Sequence, residues 1–98
     1  MARRTYQSTD FTSFHGAVIR ASVEHLKKTF GYPDMENNTG EDKVNFEWGL
    51  ETDEGEVFTI YDWKEGRPLR SDEIVTWHIG AKSKSVSNVA ERELKKAL

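Results

Sequence analysis

The chain of 98 residues contains no cysteine, which excludes a disulfide scaffold and any zinc or iron–sulfur site with cysteine ligands. Long apolar runs are missing too, because no segment approaches the ~20 residues needed to cross a bilayer. The basic start, Met1-Ala2-Arg3-Arg4, is not followed by the apolar stretch of a secretory signal. These absences predict a cytoplasmic protein without a membrane partner, and the length of 98 residues predicts one domain over residues 1–98.

Motifs for catalysis and metal binding are also scarce. The three histidines, His15, His25 and His78, form no close pair, so a histidine metal site is not expected. No serine stands in a GxSxG elbow, and the segment from Gly80 to Ser83 lacks the first glycine of the P-loop motif GxxxxGK[ST]. A general acid–base enzyme needs perturbed acids in a cleft, and the chain shows no sign of one. We therefore expect no catalytic residues, metal or cofactor.

The net charge of -3 is unevenly distributed. Between Asp34 and Glu56 there are nine acids and a single base, Lys43, whereas eight bases face six acids from Val57 onward. Five of those bases lie in the two loops that flank one predicted strand: Lys64, Arg67, Arg70, Lys82 and Lys84. Duplex nucleic acid is an unexpected partner, since its binders depend on lysine and arginine contacts to phosphates. A small anion suits a local basic patch better.

The first half of the chain predicts one strand and one helix. Residues Phe11–Ala21 are rich in strand-forming residues, although Gly16 weakens the pattern. A helix follows, because Ser22 is a natural N-cap and Gly31 is placed to end it. Its apolar side, expected to pack on a sheet, consists of Val23, Leu26 and Phe30. The polar stretch Asp34–Asp42 has no hydrophobic period and is typical of a loop.

The second half predicts three consecutive strands and a final helix. Apolar residues alternate from Val44 to Leu50, as in a strand with one buried face. A turn at Thr52–Gly55 leads to a second strand, Val57–Trp63, and the basic loop Lys64–Arg70 leads to a third, Ile74–Ile79. Residues 84–98 carry apolar residues at helical spacing. The resulting order, β-α-β-β-β-α, predicts an α+β fold: an antiparallel meander sheet with two helices packed on one face.

The segment Trp77–Ser85, which joins the last strand to the last helix, is the first candidate for a binding site. Gly80 permits a sharp turn, Lys82 and Lys84 bring positive charge, and Ser83 can cap the helix. Free amide groups and the positive end of a helix dipole favour a phosphate or a carboxylate. The simpler interpretation is a well-formed N-cap preceded by a core tryptophan.

Strand alternation predicts where the neighbouring aromatic side chains lie. If Trp77 is in the core, His78 points to the opposite face, towards whatever the following loop binds. Trp63 ends the preceding strand, Lys64 begins the basic loop, and the two form a second candidate patch. In an antiparallel meander Trp63 is expected closer to Ile74 than to His78. The two patches are therefore expected at opposite ends of the sheet, where a symmetric oligomer would join them.

The strings TIYDWKEGRPL and WHIGAKSKSV, with FEWGLETDEG before them and GYPD earlier, resemble a widespread group of small proteins encoded by tailed bacteriophages. The signature combines an acidic loop, an EW strand, a TIYD(W/Y)K strand end and a WHIGG-like turn into the terminal helix, and it covers nearly the whole chain. Ala81 departs from it, since many members have a second glycine there. The resemblance implies an immune-evasion sponge of the anti-CBASS type, which sequesters cyclic oligonucleotide messengers without hydrolysing them in the cytoplasm of an infected host.

On this interpretation the protein is a homo-oligomer that holds phosphates with cations and amides, and bases with aromatic planes. The expected ligand-binding residues are Trp63, Lys64, Arg67, His78, Gly80, Lys82, Ser83 and Lys84. The alternative is an acidic protein that inhibits a host enzyme through the Asp34–Glu56 surface, as a possible nucleic-acid mimic. Binding of single-stranded nucleic acid is a third hypothesis, and the acidic total favours it least.

Overall fold

The computed structural model describes all residues, Met1–Leu98, as two helices and one antiparallel sheet of six strands. The strands are β1 (Arg3–Arg4), β2 (Ser13–Ala21), β3 (Met35–Glu36), β4 (Phe46–Glu51), β5 (Val57–Tyr61) and β6 (Val75–Ala81), and the helices are α1 (Val23–Phe30) and α2 (Lys84–Ala97). The order across the sheet is β1-β4-β5-β6-β2, with β3 also paired to β4. The predicted α+β fold with its central meander is confirmed. Neither helix has the length and apolar character of a membrane span.

Two short strands were not predicted. Arg3 pairs with Glu51, and Met35, within the stretch predicted as a loop, pairs with Glu47. Two residues are too few to show an alternating pattern. Both short strands form because the outer edge of β4 has free backbone groups for them to pair with, not because of their own sequence. The strand predicted at residues 74–79 instead runs from Val75 to Ala81, which changes the interpretation of the segment after it.

Helix α1 has the predicted ends. The Ser22 hydroxyl accepts a hydrogen bond from the backbone N–H of His25 at 3.1 Å. The N–H of Gly31 donates to the carbonyl of Lys27 at 2.8 Å, and Gly31 takes up a left-handed φ of 82°. Glycine adopts this conformation without steric cost, which explains why the helix ends there. Val23, Leu26 and Phe30 are buried as predicted.

Trp48 and Trp77 occupy the centre of the core, and neither is exposed to solvent. Their ring centroids are 5.5 Å apart, and the ring planes meet at 79°. Each indole N–H has a partner: Trp48 donates to the carbonyl of Gly31 and Trp77 to that of Ala21, both at 2.9 Å. Because Ala21 and Gly31 flank α1, these two bonds fix both ends of the helix to the sheet.

The apolar residues of the strands and of both helices form one core cluster on one side of the sheet. The other side, termed the open face, carries the alternate residues of β4, β5 and β6. Register places Glu47, Tyr61 and His78 in one row across these strands, and Gly49, Thr59 and Gly80 in the next. The open face therefore presents a row of polar and aromatic side chains beside a row of small ones.

Residues 5–12, termed the strap, cross the row of small side chains. A Cβ on Gly49 would lie 3.3 Å from the Thr9 methyl and 3.7 Å from the Thr5 methyl, and one on Gly80 would lie 3.7 Å from the Thr12 hydroxyl. The two glycines leave the space in which the strap lies against the sheet. The row with Tyr61 and His78 remains the accessible part of the open face.

Candidate binding site on the open face

A groove of about 440 Å³ lies on the open face and is lined by Ser13, Phe14, Tyr61, Trp63 and His78. We term it the aromatic groove. Three adjacent strands supply its walls: β2 carries Phe14, β6 carries His78, and β5 carries Tyr61, with Trp63 just beyond its end. The strand order therefore assembles the groove from residues far apart in the sequence.

The rings of the aromatic groove are arranged around His78. The His78 ring stacks on that of Tyr61, with centroids 5.7 Å apart and planes at 21°, and the ring of Phe14 meets it edge-on at 4.5 Å. Trp63 meets Tyr61 edge-on at 6.1 Å. Trp63 is 40% exposed and Phe14 is 45% exposed. Large apolar planes this open to solvent are typical of binding surfaces.

Two lysines stand beside Trp63. The Nζ atom of Lys64 lies 5.4 Å from the Trp63 ring centroid and that of Lys43 lies 5.8 Å from it, both within the range of a cation–π contact. The backbone N–H of Lys64, which has a left-handed φ of 53°, donates to the carbonyl of Lys43 at 2.7 Å. This bond holds the two residues together. Both side chains are exposed and neither is in an ion pair, so their charges are free to meet an anion.

The Nδ1 atom of His78 is buried and has no hydrogen-bond partner. Burial lowers the pKa of His78, and the Glu65 carboxylate opposes this effect. The ring therefore favours its neutral form near neutral pH. Because buried polar atoms almost always have partners, this nitrogen is an unused hydrogen-bonding position in the wall of the aromatic groove.

A buried carboxylate fixes the backbone that presents Tyr61 and Trp63. Asp62, between them, is fully buried and accepts hydrogen bonds from the backbone N–H groups of Asn45 and Phe46, at 2.9 and 2.8 Å. It also accepts one from Asn45 Nδ2 at 3.0 Å. Hydrogen bonds to a charged group are stronger than neutral ones, so these contacts define the chain direction at this point. The aspartate of the YDW string is thus structural, a role that the sequence pattern did not indicate.

Asn45 extends this network into the two loops beside the aromatic groove. Its Nδ2 atom donates to the Arg67 carbonyl, and its Oδ1 atom accepts from the backbone N–H of Gly40, both at 3.0 Å. Asn38 and Leu69 exchange two further hydrogen bonds, of 2.9 and 2.7 Å. The loops that follow β3 and β5 therefore support each other and the lysines they carry.

The structure brings three of the predicted site residues together, namely Trp63, Lys64 and His78. The Lys82 junction lies apart from Trp63, as expected, but His78 does not belong with it, because His78 and Trp63 both line the aromatic groove. The reason is the register, in which Tyr61 lies directly opposite His78 and Trp63 follows two residues later. His78 does lie on the face opposite buried Trp77, as alternation predicted. Phe14, Tyr61 and Lys43 were not among the predicted site residues.

Gly80 does not form the predicted turn. It lies within β6, paired with Thr59 on one side and Phe14 on the other, and a Cβ at this position would lie 2.6 Å from the Thr59 hydroxyl. The requirement for glycine comes from close packing across the sheet rather than from a backbone turn. The chain leaves the sheet only after Ala81, which is fully buried.

Ser83 is the N-cap of α2, and its hydroxyl accepts a hydrogen bond from the Val86 N–H at 3.2 Å. The simpler interpretation of this junction, a well-formed cap after a core tryptophan, is confirmed.

Lys82 and Lys84 are exposed and have no ion pairs. Lys82 lines a hollow that is separate from the aromatic groove and that it shares with Val57. At ~3.3 Å per strand residue, Lys82 lies roughly 13 Å along β6 from His78. The junction is therefore a second basic patch, apart from the aromatic groove.

Arg67 is held by acids of its own loop. Its guanidinium donates to the Glu73 carboxylate at 2.7 Å and lies 3.9 Å from that of Glu65. The hydrogen bond raises the pKa of Arg67 and lowers that of Glu73. Arg67 thus offers less free charge than Lys43 or Lys64, which have no acidic partner.

The acidic stretch from Asp34 to Glu56 is partly neutralised by ion pairs. Four of its acids are paired: Asp34 with Arg4, Glu36 with Lys27, Glu51 with Arg3, and Asp53 with the N-terminal amino group. The pairs involve β1, α1 and the chain start, so they connect this stretch to the rest of the fold. The remaining acids are spread over separate loops and strands.

Comparison of the chain with protein-family models, curated proteins and solved structures gives no match. The structure contains no group of three or more acidic, histidine or cysteine side chains able to hold a metal ion. The aromatic groove, with Lys43 and Lys64 at one end, brings exposed rings and unpaired cations together. Such a combination of flat apolar rings and free cations suits a planar ligand that carries negative charge.

Proposed function

We propose that this protein binds cyclic oligonucleotides without hydrolysing them and that the aromatic groove receives a base. The observation that carries the proposal is Trp63, partly exposed, with the ammonium groups of Lys64 and Lys43 5.4 and 5.8 Å from its ring. A base stacked on an aromatic ring contributes ~1–3 kcal/mol. The adjacent lysines would pair with a phosphate on the ribose that carries that base. Both parts of a nucleotide thus find a matching group within one site.

The resemblance to the phage-encoded group supplies a biological role for this binding. A protein that sequesters a messenger needs affinity and no chemistry, and it would act in the cytoplasm of an infected bacterium as an immune-evasion sponge. One protomer has one aromatic groove, whereas a cyclic oligonucleotide carries two or more bases. We therefore propose a homo-oligomer whose subunits share the ligand, with the Lys82–Lys84 patch available to the outer phosphates.

Isothermal titration calorimetry of the purified protein with cyclic di-GMP, 3′,3′-cyclic GMP–AMP and cyclic tri-AMP tests the proposal. We expect saturable binding of at least one ligand, and Trp63→Ala or Lys64→Ala should weaken it about tenfold or more. Tyr32→Ala is the matched control, because Tyr32 is exposed and has Lys27 Nζ 5.4 Å from its ring, but lies outside the aromatic groove. Absence of binding by all three ligands would overturn the proposal. A loss caused by Lys82→Ala, with Trp63→Ala unaffected, would move the site to the junction.

A further inference from the structure

The two edges of the sheet end differently. On one side, the two-residue strands β1 and β3 cover the edge of β4. On the other side β2 is the last strand, and no loop or side chain forms a hydrogen bond with the backbone of residues 13–20 on its outer edge. A long edge with free N–H and C=O groups is a template for a further strand. The β2 edge is therefore the place where another chain can extend the sheet.

The part of this edge that can pair lies after the bulge. The bulge at Gly16 bends the strand, whereas residues 18–21 pair with β6 without interruption. The segment 17–21 contains no proline and a single charged side chain, that of Arg20, so nothing in it blocks pairing with a further strand. Ile19 is the midpoint of this segment.

A groove of about 490 Å³, termed the edge groove, lies beside the same segment. It is lined by Val18, Ile19 and Arg20 of β2 and by Glu91, Leu94, Lys95 and Leu98 at the end of α2. Ile19 and Leu94 are buried, whereas Val18 and Leu98 remain partly exposed. A strand added to β2 would cover these apolar side chains. Pairing would therefore bury apolar area as well as satisfy the backbone of the edge.

The charges at the edge groove are self-complementary. Glu91 and Lys95 lie one helical turn apart and form an ion pair of 3.2 Å, and the Arg20 guanidinium has no acidic partner. A twofold axis reverses the order of these charges in a second copy. Glu91 can then meet the partner's Lys95, and Lys95 can meet the partner's Glu91. A second copy of this chain thus offers each of these two charges an opposite one, which an arbitrary strand would not.

We infer that this protein forms a twofold dimer in which the β2 strands of two copies pair antiparallel, centred on Ile19. Val18 then lies opposite the partner's Arg20, and the two six-stranded sheets join into one. The dimer needs no ligand and so goes beyond the proposed function. It also places both aromatic grooves on the same side of the joined sheet, with three strand spacings, about 15 Å, between the two copies of β6. Sharing of a ligand between the grooves rests on the proposed function, whereas the dimer does not.

Sedimentation velocity of the ligand-free protein over a series of concentrations tests the dimer. We expect a mass of two chains or an even multiple of it. Val18→Lys places a like charge opposite the partner's Arg20 and should weaken the dimer about tenfold or more, whereas Val18→Glu should retain it. Val89→Lys is the matched control, because Val89 is also half-buried but lies on the side of α2 away from the edge groove. It should leave the dimer unchanged.

Disulfide formation tests the register. Because the chain has no cysteine, introduced cysteines report only on themselves. A mixture of the Val18→Cys and Arg20→Cys proteins should cross-link on mild oxidation, since facing residues of antiparallel strands have Cα atoms ~4.5–5.5 Å apart, within the range of a disulfide. Either protein alone should cross-link less, because identical positions then lie diagonally across the pair. This measurement also decides the matter if circular dichroism shows that Val18→Lys is unfolded.

The outcomes separate this inference from the proposed function. A monomer at every concentration, a dimer that folded Val18→Lys leaves intact, or cross-linking as efficient in each protein alone as in the mixture would overturn the β2 dimer. Nucleotide binding by a monomer would leave the proposed function in place. A β2 dimer that binds no cyclic oligonucleotide would overturn the proposed function and leave the dimer in place.

Discussion

The hydroxyl of Thr59 occupies the space that a side chain on Gly80 would require, since a Cβ there would lie only 2.6 Å from Thr59 Oγ1. Real Cβ atoms do not approach oxygen this closely, so Gly80 has to be glycine as long as Thr59 stays in place. The same Cβ would lie 3.4 Å from the Tyr61 ring and 3.7 Å from the Thr12 hydroxyl of the strap. Close packing between β5 and β6 at Thr59 and Gly80 therefore determines the shape of the sheet surface beside the aromatic groove.

Gly80→Ala should lower the free energy of unfolding by about 1–3 kcal/mol, because the added methyl group forces β5 and β6 apart or rotates Thr59. Urea denaturation followed by circular dichroism measures the loss. The double variant Gly80→Ala with Thr59→Ala should be more stable than the sum of the single effects predicts, because the second change makes room for the first. Strict additivity would contradict the proposed clash.

Asp62→Ala should destabilise the protein by about 3 kcal/mol, because two buried backbone N–H groups lose their acceptor and Asn45 Nδ2 loses one of its two. Asp62→Asn should cost less, since one amide oxygen can still accept from both N–H groups. Asp72→Ala is the control, because Asp72 is exposed and paired only with Arg70; it should change stability by less than about 0.5 kcal/mol. The same urea series measures all three, and equal losses for Asp62→Ala and Asp72→Ala would refute the structural role of Asp62.

Only one of the three tryptophans should be accessible to a collisional quencher. Trp48 and Trp77 are fully buried, whereas Trp63 is 40% exposed. Iodide should quench part of the fluorescence, and Trp63→Phe should remove the quenchable part. Because Lys64 and Lys43 attract anions, Lys64→Glu should reduce quenching by iodide but not by neutral acrylamide. Quenching that persists in Trp63→Phe would show that a core tryptophan is more accessible than its burial indicates.

Two glutamates should give opposite pH dependence. Burial, followed by the charge of Asp34, raises the pKa of Glu47. The folded state therefore binds its proton more tightly than the unfolded state, so this contribution to stability is present at low pH and is lost as pH rises through the folded pKa. The lowered pKa of Glu73, caused first by Arg67, makes its contribution present at neutral pH and lost as pH falls. Relative to the wild type, Glu47→Gln should therefore gain stability from pH 4 to pH 7, and Glu73→Gln should lose it. Parallel urea titrations at the two pH values test the signs, and the same sign for both variants would contradict this assignment.

Local sequence predicted the elements whose determinants are local. Ser22 and Gly31 mark the ends of α1 through contacts within the helix, and alternation alone separates Trp77 from His78. The aromatic groove could not be predicted this way, because it depends on which residue faces which across the sheet. The chain offers no local sign that Tyr61 should face His78.

The bulge in β2 adds a second non-local effect. Gly16 has a φ of 100°, and the register with β6 shifts between Phe14 and Val18. Unbroken pairing from Val18 opposite His78 would place Phe14 opposite Lys82, whereas it lies opposite Gly80 and thus beside His78. Gly16, which weakened the strand pattern in the sequence, therefore lies in the bulge that brings Phe14 into the aromatic groove.

The perpendicular arrangement of Trp48 and Trp77, at 5.5 Å and 79°, has a spectroscopic consequence. Two indole chromophores held this close and at a fixed angle share their excited states, and the coupling gives a pair of circular dichroism bands of opposite sign. Because one indole donates a hydrogen bond to the Gly31 carbonyl and the other to that of Ala21, both next to α1, the signal should change when α1 leaves the sheet. The core therefore carries its own optical reporter of helix docking, separate from the far-ultraviolet signal of the backbone.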